Sequence, residues 1–324
     1  MDYTHLTAED RYTIYELKRE DNSPRTIAKK LGRHPSTIYR ELERNRGGKG
    51  YRPRQAQELA ESRLQERAEG PRIPATTWLE VEEKLKLQWS PECISQRLKR
   101  EGVEVSRESI YNHIVLDRKN DGDLYKNLRH QKRRRRRFPS RPKRIGKIPN
   151  RVDIEERPAI VEKRARIGDW EADTIIGCNH KGAVVSIVDR ASRYTVLALV
   201  SGKTTTEVIG SMIAALTPLK RCVQTITMDN GTEFAGHERL VKELKADTYF
   251  ARPYCSWQRG TNEQTNGLVR QYIPKGTDFR TLTSKQIKAI QELLNYRPRR
   301  CLNYRTPHEI FLQSAKSAGV RLAL

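Results

Sequence analysis

The chain has 324 residues, 36% hydrophobic and 32% charged, which is long enough for two or three folded units and apolar enough to exclude disorder throughout. Lysine and arginine number 63 against 40 acidic residues, a formal charge of +23, so a polyanion is the expected partner and nucleic acid the first candidate. Five scattered cysteines without a Cys-x-x-Cys pair and seven histidines without a His-x-x-x-His pair exclude a disulfide scaffold and a Cys/His zinc site.

No apolar run approaches the ~18 residues of a membrane span, and Met1-Asp2-Tyr3-Thr4 does not open a signal peptide. The expectation is a cytoplasmic protein with no membrane partner.

The first 50 residues read as helices. Thr7 followed by Asp10 forms a capping-box pattern, and Ile14 and Leu17 then share one face of a helix ending near Glu20. Ser23-Pro24 is an N-cap with proline at the first helical position; Ile27, Ala28 and Leu31 form the next apolar stripe, and Gly32 stops it. A third helix starts near Pro35, turns Ile38 and Leu42 inward, and leaves Ser36, Thr37, Arg40 and Arg44 on the opposite face. Two short helices joined by a tight turn, the second polar and basic outside, form the pattern of a helix-turn-helix whose second helix enters the major groove. An ordinary helical hairpin shares that pattern.

The pattern recurs. Ser23-Pro24, Ile27, Leu31, Ile38-Tyr39 and Leu42 return as Ser90-Pro91, Ile94, Leu98, Ile110-Tyr111 and Ile114, with a longer turn over 100–106. Arg107, Ser109 and Asn112 are the candidate DNA contacts of the second copy. Two such modules suit a long or bipartite site, and the charged stretch 55–68 between them reads as a helical spacer.

From Lys132 to Lys147 ten residues are basic and none is acidic, with Arg133, Arg134, Arg135, Arg136 and Arg137 in succession and Pro139, Pro142 and Pro149 breaking regular structure. This is a linker, either a solvated tether or an arm along DNA phosphates.

After Ile167 the character changes. Trp170–Ile176, Ala183–Asp189 and Tyr194–Val200 are β-rich runs that read as an antiparallel meander. A helix near 205–216, a strand near 223–227, a helix near 238–245 and a strand near 248–250 follow, then helices near 261–272, 284–296 and 307–317. The order predicts a mixed sheet with helices on its faces.

Three carboxylates stand where such a sheet can gather them: Asp173 within the first strand, Asp229 just after the 223–227 strand, and Glu263 in the first turn of a helix. Each has an ordinary reading, as a solvated strand residue, a turn residue in Asp229-Asn230-Gly231, and a helix-start acid. Together, in a strongly basic chain, they form a ligand set for Mg²⁺, which completes its shell with water and substrate phosphates. Paired ions ~3.5–4 Å apart serve phosphoryl transfer.

The sequence resembles the DDE transposases with a ribonuclease-H-like catalytic core, and more closely the IS-thirty family of bacterial insertion-sequence transposases. The resemblance runs over nearly the whole chain. It is carried by Gly168-Asp169-Trp170-Glu171-Ala172-Asp173-Thr174, by Asp229-Asn230-Gly231-Thr232-Glu233-Phe234, and by Pro253-Tyr254 through Trp257-Gln258-Arg259-Gly260-Thr261-Asn262-Glu263 to Asn266-Gly267 and Pro274-Lys275. Asn295-Tyr296-Arg297-Pro298-Arg299 with Thr306-Pro307 completes it, and the 33 residues between Asp229 and Glu263 match the family's spacing.

The resemblance implies that Asp173, Asp229 and Glu263 are the catalytic, metal-binding triad for two Mg²⁺ ions, with Mn²⁺ as a substitute. Arg270, seven positions beyond the glutamate and on its helical face, would contact DNA, and Arg252, Trp257 and Arg259 would grip or stack on distorted ends. The implied partners are double-stranded DNA, as element ends and target, and further copies of the chain, at least a dimer; no small-molecule substrate is implied. The implied place is the bacterial cytoplasm, at the nucleoid.

The implied reaction is metal-dependent cleavage at the element's terminal inverted repeats and transfer of the resulting 3′-OH to another phosphodiester. A DNA-binding regulator and a metal-dependent nuclease without strand transfer are the alternatives.

The expected organisation is multidomain: a first all-α helix-turn-helix module over 1–50, a helical connector and second module over 51–120, a basic linker over 121–155, and an α/β ribonuclease-H-like catalytic domain with a mixed sheet and C-terminal helices over 156–324.

Overall fold

The computed structural model describes residues 5–68, 73–129, 148–252 and 255–320. The basic run Arg133–Arg137 lies outside the described residues. The chain divides into two compact units, 1–74 and 75–324.

In the first unit α1 (Ala8–Arg19) opens on Thr7 in a capping box with Asp10, α2 (Pro24–Lys30) on Ser23, and α3 (Pro35–Arg44) on His34, whose Nδ1 accepts from the Ser36 N–H. A two-residue hairpin follows, β1 (Arg46–Gly47) with β2 (Gly50–Tyr51), then α4 (Pro53–Ala68). Ile14, Ile27, Ala28, Ile38, Tyr51 and Ala56 form its core. Beside that core a buried ion pair, Arg11 Nε to Glu41 Oε1 at 2.8 Å, ties α1 to α3, and the Tyr51 hydroxyl donates to the same carboxylate. On the far side of α3, Tyr39, Arg40 and Arg44 are exposed while Ser36 and Thr37 are half-buried.

The second unit begins with three helices, α5 (Ala75–Lys86), α6 (Pro91–Arg100) and α7 (Arg107–Lys119), packed through Val81, Leu85, Ile94, Leu98, Ile110 and Ile114. Its sheet follows after the short α8 (Ala159–Lys163): β3 (Asp169–Ile176), β4 (Ala183–Asp189), β5 (Thr195–Val200), then α9 (Thr205–Leu216), β6 (Thr225–Met228), α10 (His237–Leu244) and β7 (Asp247–Phe250). The strand order is β5-β4-β3-β6-β7, with the expected antiparallel meander on one side and β6 and β7 added in parallel on the other. Helices α11 (Gly260–Tyr272), α12 (Ser284–Asn295) and α13 (Pro307–Ser317) complete the unit.

The pleat divides β3 between two layers. Trp170 and Ala172 join the larger core with Val185, Ile187, Met212, Phe234 and Phe311. Ile175 joins the smaller one with Val184, Leu197, Leu268, Val269 and Leu294, beneath α11 and α12. Glu171 and Asp173 share the alternation of Ile175 and therefore face α11.

The three-helix module belongs to the same compact unit as the sheet and is fastened to the C-terminal segments. Arg97 pairs with Glu309 at 2.8 Å, Tyr304 Oη donates to Glu92 Oε1 at 2.7 Å, Arg100 donates to the Asn303 carbonyl and Cys93 Sγ to the Pro298 carbonyl. Among the described residues no helix is long and apolar enough to cross a membrane.

Candidate active site

Asp173 lies directly opposite Ser186 in the β3–β4 ladder, on the face covered by α11. Its Oδ2 accepts from Asn266 Nδ2 at 2.8 Å, and its Oδ1 accepts from the Thr174 N–H at 3.0 Å. Burial pushes its carboxyl above the usual range, and the Asp229 charge adds to this, against the opposing pull of Arg259. Asp229 stands immediately beyond β6, which pairs in parallel with β3, and its Oδ1 accepts from the Gly231 N–H at 2.9 Å.

One guanidinium joins the two acids. Arg259 Nη1 lies 3.3 Å from Asp173 Oδ1, and its Nη2 lies 3.5 Å from Asp229 Oδ2. Two carboxylates from neighbouring strands thus already share one cation, which is the arrangement a bound metal ion requires. The donor set fits a hard divalent ion in kind, being all carboxylate oxygen.

Glu263 is in the first turn of α11, exposed, one turn before Asn266. The fold brings it to the same helix face as Asn266 but not into one cluster: among the described residues no three His, Cys, Asp or Glu side chains stand close enough together to hold one ion. The gap between the first two acids is filled by Arg259.

Two further carboxylates shape the site that motif reading did not single out. Glu171, fully buried, accepts the Asn262 N–H on its Oε2 at 3.0 Å, and so satisfies one of the unpaired amides in the first turn of α11. Arg190 stands 3.5 Å from its Oε1. The available signal was the spacing: Glu171 is two residues before Asp173 and therefore on the same strand face. Glu233, in the turn after Asp229, accepts from Thr174 Oγ1 at 2.7 Å and from Lys203 Nζ at 2.6 Å. Burial alone would raise its carboxyl, but those hydrogen bonds outweigh it and hold the group below the usual range.

Gly231, at an ordinary φ of −69°, leaves room for two carboxylates. A Cβ at this position would stand 2.5 Å from Glu233 Oε2 and 2.9 Å from Asp229 Oδ1.

The remaining candidates are placed as follows. Arg270 is half-buried, donates to the Ile176 carbonyl at 2.6 Å and stacks over Phe279. Arg252 is exposed and paired with Glu155 at 2.5 Å. The side chain of Trp257 lies outside the described residues. On α7, Arg107 and Asn112 are exposed and Ser109 is half-buried against its N-cap partner Ser106.

Residues 2–45 match the helix-turn-helix domain family, and residues 164–256 match the integrase core domain family, a span that takes in Asp173 and Asp229 and ends before Glu263. Over 98% of its length the chain is 44% identical to a transposase for insertion sequence element IS4351 from Bacteroides fragilis, covering 99% of that protein. The chain belongs to the IS-thirty family of insertion-sequence transposases.

Relatives of this transposase include one for IS1086 from Cupriavidus metallidurans, 37% identical over 99% of this chain and 98% of that protein. Another is the transposase InsI for IS30A from Escherichia coli strain K12, 34% identical over 94% of this chain and 83% of its relative. As a DDE-type polynucleotidyl transferase with an integrase core, the transposase carries its family's catalytic fold on the 164–256 segment.

Proposed function

We propose that this transposase binds the terminal inverted repeats of its own insertion element, cleaves a strand at each end to leave a 3′-OH, and transfers that hydroxyl to a phosphodiester of target DNA. Double-stranded DNA is then its partner in the bacterial cytoplasm, and at least two copies act together because two ends must be joined. The observation that carries the reading is Asp173 on β3 and Asp229 just beyond the adjacent parallel β6, holding one guanidinium between them.

In this reading Asp173, Asp229 and Glu263 are the metal-binding triad. Mg²⁺, two ions per site and replaceable by Mn²⁺, would supply charge neutralisation at the phosphate and activation of the attacking oxygen. The chain's own residues position and admit. Asn266 fixes the rotamer of Asp173, the Gly231 N–H fixes that of Asp229, and Glu171 pins the start of α11 so that Glu263 stays at the cleft. Arg259, which now sits between the two acids, would give up that place to the ions and could then meet a DNA phosphate. Arg40 and Arg44 on α3, and Arg107 and Asn112 on α7, read or grip the element end; Ser36, Thr37 and Ser109 support them. Arg252 and Trp257 grip or stack on distorted ends, Arg270 contacts DNA, and the basic run 133–137 lies along backbone phosphates.

The test is incubation of the protein with labelled element ends, unlabelled target DNA and Mg²⁺. Joined product is expected. Nicks without joining would leave a metal nuclease, and retention without nicks a DNA-binding regulator; either result overturns the proposal.

A further inference from the structure

The turn before β5, α11 and the segment after Pro298 border a cavity of about 470 Å³ whose lining includes Arg193, Arg299, Arg300, Cys301, Gln264 and the buried Leu268. Three arginines and no carboxylate line the cavity. Arg193 donates from Nη1 to Thr261 Oγ1 at 2.8 Å, and Arg299 from Nη2 to the Leu294 carbonyl at 3.2 Å, both neutral acceptors. Only Arg300, exposed, meets an acid, Glu92 at 3.6 Å. The Nε atoms of Arg193 and Arg299 are buried with no hydrogen-bond partner.

Burial and the charge of Arg297 push the Arg299 guanidinium down to about 10. Arg164, close to Arg193, is lowered by burial and by that neighbour. Buried cations without counter-charges are costly unless an anion completes them. Arginines lining a cavity that holds no carboxylate are suited to a phosphate, whose oxygens accept charge-assisted hydrogen bonds from guanidinium groups.

We propose that this cavity is a docking site for one backbone phosphodiester of the DNA substrate, held by Arg193 and Arg299 with Arg300 at its exposed side. The ligand is assigned to DNA by position. Gln264, which lines the cavity, directly follows Glu263, so the cavity opens on the neighbouring face of the same helix, and a strand leaving the carboxylates across α11 meets it within a few nucleotides. This inference rests on the DNA-cleaving reading above.

The test uses the full-length protein and a duplex carrying the element end. Arg193→Gln and Arg299→Gln are each expected to weaken binding about tenfold at fixed salt, the loss of one charge-assisted contact, and to make the slope of log K against log salt shallower, by at most about 0.9 when both are replaced because they share one phosphate. Arg300→Gln, at an exposed position where folding is not at stake, is expected to shift the slope in the same direction. Without DNA the melting temperature of Arg299→Gln should hold or rise, because an unpaired buried charge is gone; a purely structural arginine would lower it.

Duplexes with single methylphosphonate substitutions near the end locate the contact: one position should weaken the wild type and leave Arg299→Gln unaffected. Unchanged affinity and slope in all three variants, or no such position, would overturn the proposal while leaving a wild type that cleaves ends as evidence for the function. A wild type that binds no duplex overturns both. If inorganic phosphate alone stabilises the wild type, the gain vanishes in Arg299→Gln, and duplex binding is unaffected, the cavity takes a free anion and the DNA assignment fails.

Discussion

Asn266 donates its side-chain amide to Asp173 Oδ2 at 2.8 Å, while its own carbonyl oxygen accepts from Ser186 Oγ at 2.6 Å. One side chain on α11 therefore reads both members of a directly opposed pair in the β3–β4 ladder. The contact fixes the rotation of α11 about its axis relative to the sheet, and with it the direction in which Glu263, three residues earlier, projects.

The first expectation concerns this amide. Asn266→Ala removes a hydrogen bond that orients a metal-binding carboxylate, and losses of this kind usually cost 10–100-fold in metal affinity or activity. Cleavage of element ends should fall by about that factor, whereas binding of the uncleaved end should stay within about twofold of the wild type. A variant that cleaves at the normal rate would show that Asp173 needs no such orientation.

Removing the acids themselves should act differently. Asp229→Asn and Glu263→Gln keep size and shape but discard the charge a divalent ion requires, so cleavage and joining should vanish while retention of the element end persists in a gel-shift experiment. Glu263 is exposed, and its substitution should leave the melting temperature nearly unchanged. Normal cleavage by either variant in Mg²⁺ would remove that residue from the triad.

Arg259 yields a metal-linked expectation. Its guanidinium is the only positive group that an ion pair brings to Asp173 or Asp229 among the described residues, so Arg259→Gln leaves two nearby acids repelling each other. In EDTA the variant should melt below the wild type; with millimolar Mg²⁺ it should regain stability by a larger increment than the wild type does, because the ion no longer displaces a bound cation. Equal increments in thermal melts would show that Arg259 and the ion do not compete.

Local chemistry made much of this legible in advance. Thr7 with Asp10, Ser23-Pro24 and Thr306-Pro307 carry their own start signals, and the helices they open begin where those signals stand. Alternating β-branched runs produced the meander, and Asp173 could be put in its first strand, although which face it takes is decided by Ile175 packing under α11. Helix α5 carries no start signal in the sequence, since Ile73-Pro74 stands before Ala75 where a Ser, Thr, Asp or Asn cap would be, and Leu79 is exposed instead of continuing an inward stripe. The fastening of α6 to the segment 298–309 was also invisible. Arg97 and Glu309 are separated by 212 positions, and either reads alone as a solvated surface charge.

That fastening leads to an expectation about fragments. A chain of residues 75–324 should fold alone with a single cooperative transition and retain metal binding, because the three-helix module and the sheet form one compact unit. A chain beginning at residue 156 lacks the partners of Glu309, Tyr304 and the Pro298 carbonyl. It should melt lower and aggregate more readily. Two separate transitions in the longer fragment, followed by calorimetry, would show that the module and the sheet fold independently.

Asp189 closes β4 and is fully buried, with its carboxylate accepting from Ser192 N–H and Oγ and from the Gly168 N–H. Burial outweighs these three donors and pushes its pKa up to about 6 from 3.8. An acid whose pKa is higher folded than unfolded binds its proton more tightly in the folded chain, so its contribution to stability is present below the unfolded value and is lost as pH rises toward the folded one. The window is therefore about pH 4 to 6, and at 1.36 kcal/mol per unit the change is on the order of 3 kcal/mol. Asp189→Asn cannot titrate and presents an N–H₂ group to one of the three donors, so it should be the less stable protein throughout. The difference between wild type and variant should shrink as pH rises from 4 to 7, by roughly that amount. Denaturant titrations of both proteins at each pH unit would measure it. A gap that is flat, or that widens toward neutrality, would mean that the three donors and not burial govern this carboxylate.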